Sequence, residues 1–225
     1  MLERVLEQEV MDSEIDASEY AAFDNRTVNA EFVARALELA PASGLVLDVG
    51  TGPGDIPILL AERAPRLRIV AIDLAEHMLA LARANVAKAG LTDRIEIECR
   101  DVKATGFSEG RFDLVICNSL VHHIPDPEAL FRELRRVTRP GAGIFIKDLH
   151  RPGSMAELER LVELYARDCT NYQRRSFFDS LHSGLTVPEI EAACARVGWR
   201  DIQVRRCSDR HWSLERAAST TASNR

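Results

Sequence analysis

At 225 residues, 46% of them apolar, the chain is long enough to bury one sizeable core and short enough to be one domain with at most a small insertion. A formal net charge of -6 offers no general attraction to a phosphate backbone, so no nucleic-acid partner is expected, and no apolar run approaches the ~20 residues that span a bilayer. The five cysteines form no CxxC pair and no tight Cys/His spacing, a pattern that suits a reducing cytosol better than a disulfide or zinc framework, and no metal is expected.

The opening MLERVLEQEVMDSEIDASEY is acidic and lacks both a basic flank and an apolar run, so neither a signal nor a transit peptide is expected and the location reads as cytoplasmic. Residues 1–40 read as mostly helical, and EFVARALELA has the 3.6-residue period of a helix packed on a core. From residue 45, β-type runs alternate with helical patterns, the signature of a parallel sheet covered by helices. The predicted elements are strand 45–49, helix 56–63, strand 68–72, helix 76–89 stopped by Gly90, strand 95–99 and strand 112–117. A helix opened by Pro127 then ends before Pro140-Gly141, and a fifth strand covers 142–146. Residues 150–185 carry helical pieces with no strand between them, where an inserted cap over a site would fit. A helix over TVPEIEAACARVG and a hairpin of strands 202–207 and 210–214 follow, then a small, polar tail at 217–225 that reads as disordered.

The stretch LVLDVGTGPGD places a strand, then Gly50, Gly52 and Gly54, then a helix, so that main chain without Cβ atoms meets a ligand at the carboxyl end of the sheet. Dinucleotide proteins use G-x-G-x-x-G, but here Asp55 holds the last glycine position and Pro53 removes an amide donor. An acid at the start of the helix repels a pyrophosphate, so the ligand expected is a nucleoside with a cationic or zwitterionic tail. Asp73 at the end of the second strand can accept from ribose hydroxyls, or simply cap the next helix, and Asp101 after the third strand can take an adenine amino group.

DVGTGPGD, AIDLAEHML, CRDV and FDLVICNSLVHHIPDP together resemble the class I S-adenosylmethionine-dependent methyltransferases, especially small-molecule members related to the ubiquinone/menaquinone-biosynthesis type. The resemblance covers roughly residues 30–150. It implies an α/β Rossmann-like fold: a seven-stranded, mostly parallel sheet with helices on both faces and its last strand antiparallel. A helical N-terminal lid (1–40) would precede the cofactor-binding domain (41–216), and a helical cap (150–185) would follow strand 5. It also implies S-adenosyl-L-methionine as cofactor, with S-adenosyl-L-homocysteine as product. Gly50, Thr51, Gly52 and Gly54 would lie against the amino-acid part of the cofactor with Asp48 supporting them. Asp73 would hold the ribose, Leu74 and Met78 would line the adenine, Asp101 and Val102 would read its edge, and Asn118 with Ser119 would border the methionine moiety. Tyr20 and Phe23 would be lid residues, and Arg26 would reach the cofactor carboxylate.

A sulfonium methyl is already electrophilic, so transfer needs mostly in-line placement, plus a general base where the acceptor must lose a proton. His122 and His123 after the fourth strand are the candidates for the base or for positioning the acceptor; HHIP can equally be structural. For the acceptor pocket the candidates are Tyr20 and Arg26 in the leading segment, Asp148, His150 and Arg151 on the rim, and Tyr172, Arg175 and Phe178 in the cap. Cys99 and Cys117 read as small buried residues, His211 and Trp212 as structural. The expected partner is a small-molecule acceptor; monomer and homodimer stay open. Other readings are a protein or RNA methyltransferase, a noncatalytic binder of the cofactor or its demethylated product, and a nicotinamide-dependent oxidoreductase, which Asp55 disfavours.

Overall fold

The structure, a computed structural model, describes residues 2–7 and 25–219. Tyr20 and Phe23 lie outside the described residues, as do residues 220–225 at the end of the tail.

Seven strands form one sheet in the order β3-β2-β1-β4-β5-β7-β6. They are β1 (Gly44–Val49), β2 (Leu67–Asp73), β3 (Ile95–Cys99), β4 (Phe112–Asn118), β5 (Thr138–Leu149), β6 (Gln203–Arg206) and β7 (His211–Arg216). Strands β1 to β5 pair in parallel, and β7 runs antiparallel to β5 and β6. This is the class I methyltransferase topology. The order reverses between β1 and β4, so the crevice expected of an open α/β sheet opens at the carboxyl ends of these two strands.

Alternating side chains feed two cores, one on each face, because successive strand residues point to opposite sides. Val46, Ile69, Leu114, Ile116 and Phe145 meet helices α1 (Arg26–Leu39) and α2 (Asp55–Arg63), and Phe32 stacks on Phe145 at 4.6 Å. Leu47, Ile72, Val115, Cys117 and Ile146 meet α4 (Pro127–Val137) and α7 (Val187–Arg196). Helix α3 (Glu76–Lys88) ends in a Schellman motif: Gly90 takes φ +70° and donates to Ala87, while Leu91 donates to Val86.

Four sequence expectations need correction. Residues 2–7 are not helical; they run as an extended strap, with Leu2 donating to the Gly153 carbonyl and Val5 to that of His182. Helix α1 is no lid, since Phe32, Val33 and Ala36 are buried against the sheet. Strand β5 begins at Thr138 rather than after Pro140-Gly141: Thr138 pairs with Phe112, Gly143 with Leu114, and the residues between bulge out with Gly141 at φ +75°. The tail is ordered through Ser219, whose N–H bonds the Gly141 carbonyl while Ala218 bonds that of Leu39.

The cap is two helices, α5 (Met155–Tyr165) and α6 (Asn171–Ser183), closed at its base by a bridge between His150 and Leu185. Leu158, Leu161 and Leu181 form a separate small core with Leu149 of β5 and with Leu2 of the strap.

Candidate functional site

Gly50 and Thr51 donate their N–H groups to the Ile72 carbonyl, tying the glycine loop to the end of β2. Asp73 then closes the loop. One carboxylate oxygen accepts from Gly52 N–H at 2.9 Å, and the other accepts from Leu74 and Ala75 at 2.8 and 3.0 Å. The capping role and a place in the cleft therefore coexist at Asp73, since a carboxylate offers about four lone pairs and three amides leave room for a further donor. The three loop glycines all take positive φ, but they do different things. A Cβ on Gly52 would meet nothing within 4 Å, so its surface faces open cleft. A Cβ on Gly54 would press on the Ala82 backbone of α3 at 3.3 Å, so this glycine permits close helix packing and does not border the cleft, contrary to expectation.

Behind the loop, Asp48 is buried, and its Oδ2 has no hydrogen-bond partner; nor has Oγ1 of buried Thr51. Burial pushes the Asp48 carboxyl up to about 7; the Thr51 hydroxyl beside it pulls it down, and the nearby Asp73 carboxylate pushes it up again. The Thr51 hydroxyl is thus near enough to act on the Asp48 carboxyl, whose Oδ2 still lacks a well-made bond of the kind an amino group supplies.

The cleft is lined by Gly50, Gly52, Asp73, Leu74 and Met78 on one wall and by Asn118, Ser119 and Val102 on others. Ala75, Lys103, Leu120 and Ile124 also line it and were not singled out from the sequence, where they look like ordinary loop and turn residues. Asp101 is turned aside: its Oδ1 accepts from Lys103 N–H at 2.8 Å and pairs with Lys103 Nζ at 3.0 Å. Ser119 is, among the described residues, the one non-glycine with positive φ, at +53°, a conformation of the kind that clusters at ligand sites.

After Ser119 the chain makes a short 3₁₀ turn, Val121–His123, in which the two histidine rings lie side by side, centroids 4.2 Å apart. His123 faces the cleft, whereas His122 is buried behind it with Nδ1 2.5 Å from Asp148 Oδ1. Asp148 is itself fully buried and accepts from the amides of Val121 and Leu149. Burial raises its carboxyl, but the His122 ring and the two amides outweigh it and hold the group below the usual carboxylate range. Burial likewise opposes charge on His122, and the Asp148 carboxylate overrides it, so the ring holds a proton above its ordinary value. Asp148 is thus an anchor for the histidine turn and not a rim residue available to substrate.

The strap packs against this histidine turn through Glu7 and Arg4, neither of which was singled out from the sequence. Glu7 Oε1 lies 3.4 Å from His122 Nε2 and 3.3 Å from His123 Nδ1, and it accepts from the Ser183 hydroxyl at 3.0 Å. Burial raises the Glu7 carboxyl. Arg4 bonds three carbonyls, those of Ser183 (2.7 Å), His122 (3.1 Å) and Ile124 (3.0 Å), so it pins the histidine turn to the cap.

The remaining pocket candidates stand elsewhere. Arg151 is buried, bonds Leu2 O and Gly184 O, and has its charge paired with Glu189, so it anchors structure and does not face the cleft. His150 is half-buried at the base of the cap, where its backbone bridges Leu185 and burial lowers its pKa. Arg175 is 73% exposed and pairs with Asp179; Phe178 packs on the cap's own core; Tyr172 is exposed. Arg26 is an exposed residue at the start of α1 and does not line the cleft. Cys99 is exposed at an edge strand, contrary to expectation, while Cys117 is buried and its thiol is pushed well above its ordinary value by burial. Trp212 is buried and donates to the Leu149 carbonyl, beside the base of the cap.

A family profile described as "Methyltransferase domain" matches residues 46–141. A malonyl-[acyl-carrier protein] O-methyltransferase of Geobacter sulfurreducens is 32% identical over 193 residues, 84% of this chain and 67% of that protein. A ubiquinone biosynthesis O-methyltransferase of Xanthomonas euvesicatoria pv. vesicatoria is 35% identical over 127 residues, 55% of this chain and 50% of the relative; the chain thus spans about half the length of such relatives. In fold, the chain is similar to a Methanococcus maripaludis protein provisionally described as an S-adenosyl-L-methionine-dependent methyltransferase (TM-score 0.73, 20% identity, 96% and 98% of the two chains). It is also similar to phosphoethanolamine N-methyltransferase 2 of Haemonchus contortus in complex with S-adenosyl-L-methionine (TM-score 0.66, 19% identity, 89% and 55% of the two chains).

Proposed function

Since the chain belongs to the S-adenosylmethionine-dependent methyltransferases, we propose that it transfers the methyl group to a small-molecule acceptor that approaches past His123. The observation that carries this reading is a single cleft with a polar loop of Gly50, Gly52 and Asp73 at one end and the 3₁₀ turn bearing His123 at the other.

The residues fit the cofactor. Open space over Gly52 admits its amino-acid part, and Asp48 Oδ2, which lacks a well-made bond, suits its ammonium. Asp73 would hold the ribose, Leu74, Met78 and Val102 would line the adenine, and Asp101 would act through the Lys103 turn it braces. When bound, the cofactor supplies a sulfonium methyl open to in-line attack. Asn118 and Ser119 border the methionine part, and the strained Ser119 backbone fixes the angle of the wall between cofactor and acceptor. His123 orients the acceptor or takes its proton, while His122, held by Asp148, keeps the turn rigid. Positioning of this kind can contribute several kcal/mol to lowering the barrier.

The relatives act on a malonyl-[acyl-carrier protein] and in ubiquinone biosynthesis, as their names state, which supports an oxygen acceptor. The testing experiment incubates the purified protein with methyl-labelled S-adenosylmethionine and an extract of its host, then separates small molecules from macromolecules. Label in small molecules is the expected result and delivers the acceptor. Label confined to protein or RNA overturns the small-molecule reading.

A further inference from the structure

At the acceptor end of the cleft, three donor atoms from distant parts of the chain converge: Glu7 Oε1, His122 Nε2 and His123 Nδ1, all within 4.8 Å of one another. We propose that Glu7, His122 and His123 bind one divalent transition-metal cation, Zn²⁺ by the chemistry of the donors, with a fourth position open toward the cleft.

The spacing carries the first part of the argument. With zinc bonds of about 2.0–2.1 Å to nitrogen and oxygen, two donors on a tetrahedral ion stand about 3.3–3.4 Å apart. The two distances through Glu7 Oε1 are 3.3 and 3.4 Å. Both exceed the 2.7–3.2 Å expected of a well-made N–H···O bond. The His122 to Asp148 contact, at 2.5 Å, shows that this region can make tight pairs where it needs them.

The second part is the set of donors and what stands behind them. Two imidazoles and one carboxylate form the three-ligand set of catalytic zinc sites that keep one position open. His122 donates its other ring N–H to the buried Asp148, the arrangement that fixes a ligating histidine's tautomer and raises its basicity. A cation would take the place of the proton that Nε2 shares with Glu7. Among the described residues the positive charge nearest Glu7 is the protonated His122 ring at 3.4 Å, which a cation would replace; the guanidinium of Arg4 is committed to three carbonyls, and the hydroxyls of Ser180 and Ser183 also donate to the carboxylate. A mere anchor for the strap would not need two imidazoles on one oxygen, because Arg4 already supplies that anchor.

Because His123 lines the cleft, an acceptor oxygen reaching the open position would be held at a fixed angle to the methyl group; this clause alone rests on the proposed methyl transfer. The full chain, stripped with a chelator, is titrated with Zn²⁺ by calorimetry and with Co²⁺ by visible absorption. The expected result is one equivalent bound, with cobalt bands of a tetrahedral nitrogen/oxygen site and no thiolate-to-cobalt charge transfer from exposed Cys99 or Cys207. Glu7→Gln and His123→Gln should each weaken binding at least about 10-fold, and Asp148→Asn by about 10- to 100-fold. S-adenosylmethionine affinity, measured on each variant, reports whether the fold survives and should not change. No binding by the wild type, thiolate bands, or equal affinity in folded Glu7→Gln and His123→Gln would each overturn the site. Cation binding without methyl transfer to any extract would leave this site standing and remove the proposed function, and methyl transfer without cation binding would do the reverse.

Discussion

The two ends of the cleft are built in opposite ways. The glycine-loop end comes from one nearly continuous stretch, in which Gly50 N–H donates to the Ile72 carbonyl and Gly52 N–H to the Asp73 carboxylate at the end of the adjacent strand. The acceptor end is assembled from the strap at 2–7, the turn at 121–123, Asp148 and the last residue of α6, Ser183. The first depends on short local geometry and can hardly vary without losing the cofactor. The second depends on long-range contacts, each of which can change without disturbing the first, which is how one architecture comes to host many acceptors.

That division can be broken experimentally, and the largest expected effect is at Asp73. Asp73→Ala removes three bonds accepted from backbone amides and the partner proposed for the ribose, and two lost charge-assisted bonds at about 1.5–3 kcal/mol each predict a roughly 150- to 25,000-fold loss of cofactor affinity. Fluorescence titration would check it, and unchanged affinity in a folded variant would unmake the cofactor end. Next comes Asp48. Its folded pKa of about 7 stands above its ordinary 3.8, so the cofactor-free protein is most stable when this carboxyl is protonated and loses stability as pH rises from about 4 to about 7. Asp48→Asn should therefore stabilise the cofactor-free protein by ~1–4 kcal/mol at pH 8, read in urea melts, while abolishing a fall in cofactor affinity that the wild type shows below pH 7.

The acceptor end gives smaller effects and sharper contrasts. Arg4→Ala frees three carbonyls and should cost ~1–3 kcal/mol, with faster amide exchange at 121–124, yet leave cofactor affinity within twofold. A parallel loss of cofactor affinity would show that the two ends are coupled. Arg175→Ala should be the smallest change, within about 0.5 kcal/mol in stability and without effect on turnover, because the side chain sits on the solvent side of the cap.

The same division explains what could be read from the sequence. The succession of strands and helices, the glycine loop and the strand-end acids are local patterns, so the sheet was legible, as was the place of Gly50, Gly52, Asp73, Leu74 and Met78 along the cleft. Where reading failed, the deciding atom lay elsewhere in the chain. Gly54 looks like its neighbours until Ala82 is seen against it. Arg151 looks like an anion binder until Leu2, Gly184 and Glu189 claim its nitrogens. Glu7 and Arg4 sit in an acidic run that suggests a surface helix, and only the folded chain brings them to the histidine turn. The bulge in β5 was hidden by Pro140-Gly141, which reads as a boundary although the strand resumes beyond it.

The strap also sets an order of events during synthesis. Arg4 leaves the ribosome early, but one of its partners, the carbonyl of Ser183, lies 179 residues later. At ~5–20 residues per second, roughly 10–35 s pass before that contact can form. For much of that interval the growing chain already carries the complete glycine loop and Asp73, while the acceptor end waits for the cap. A nascent chain of this protein would thus acquire its cofactor grip first and its selectivity last.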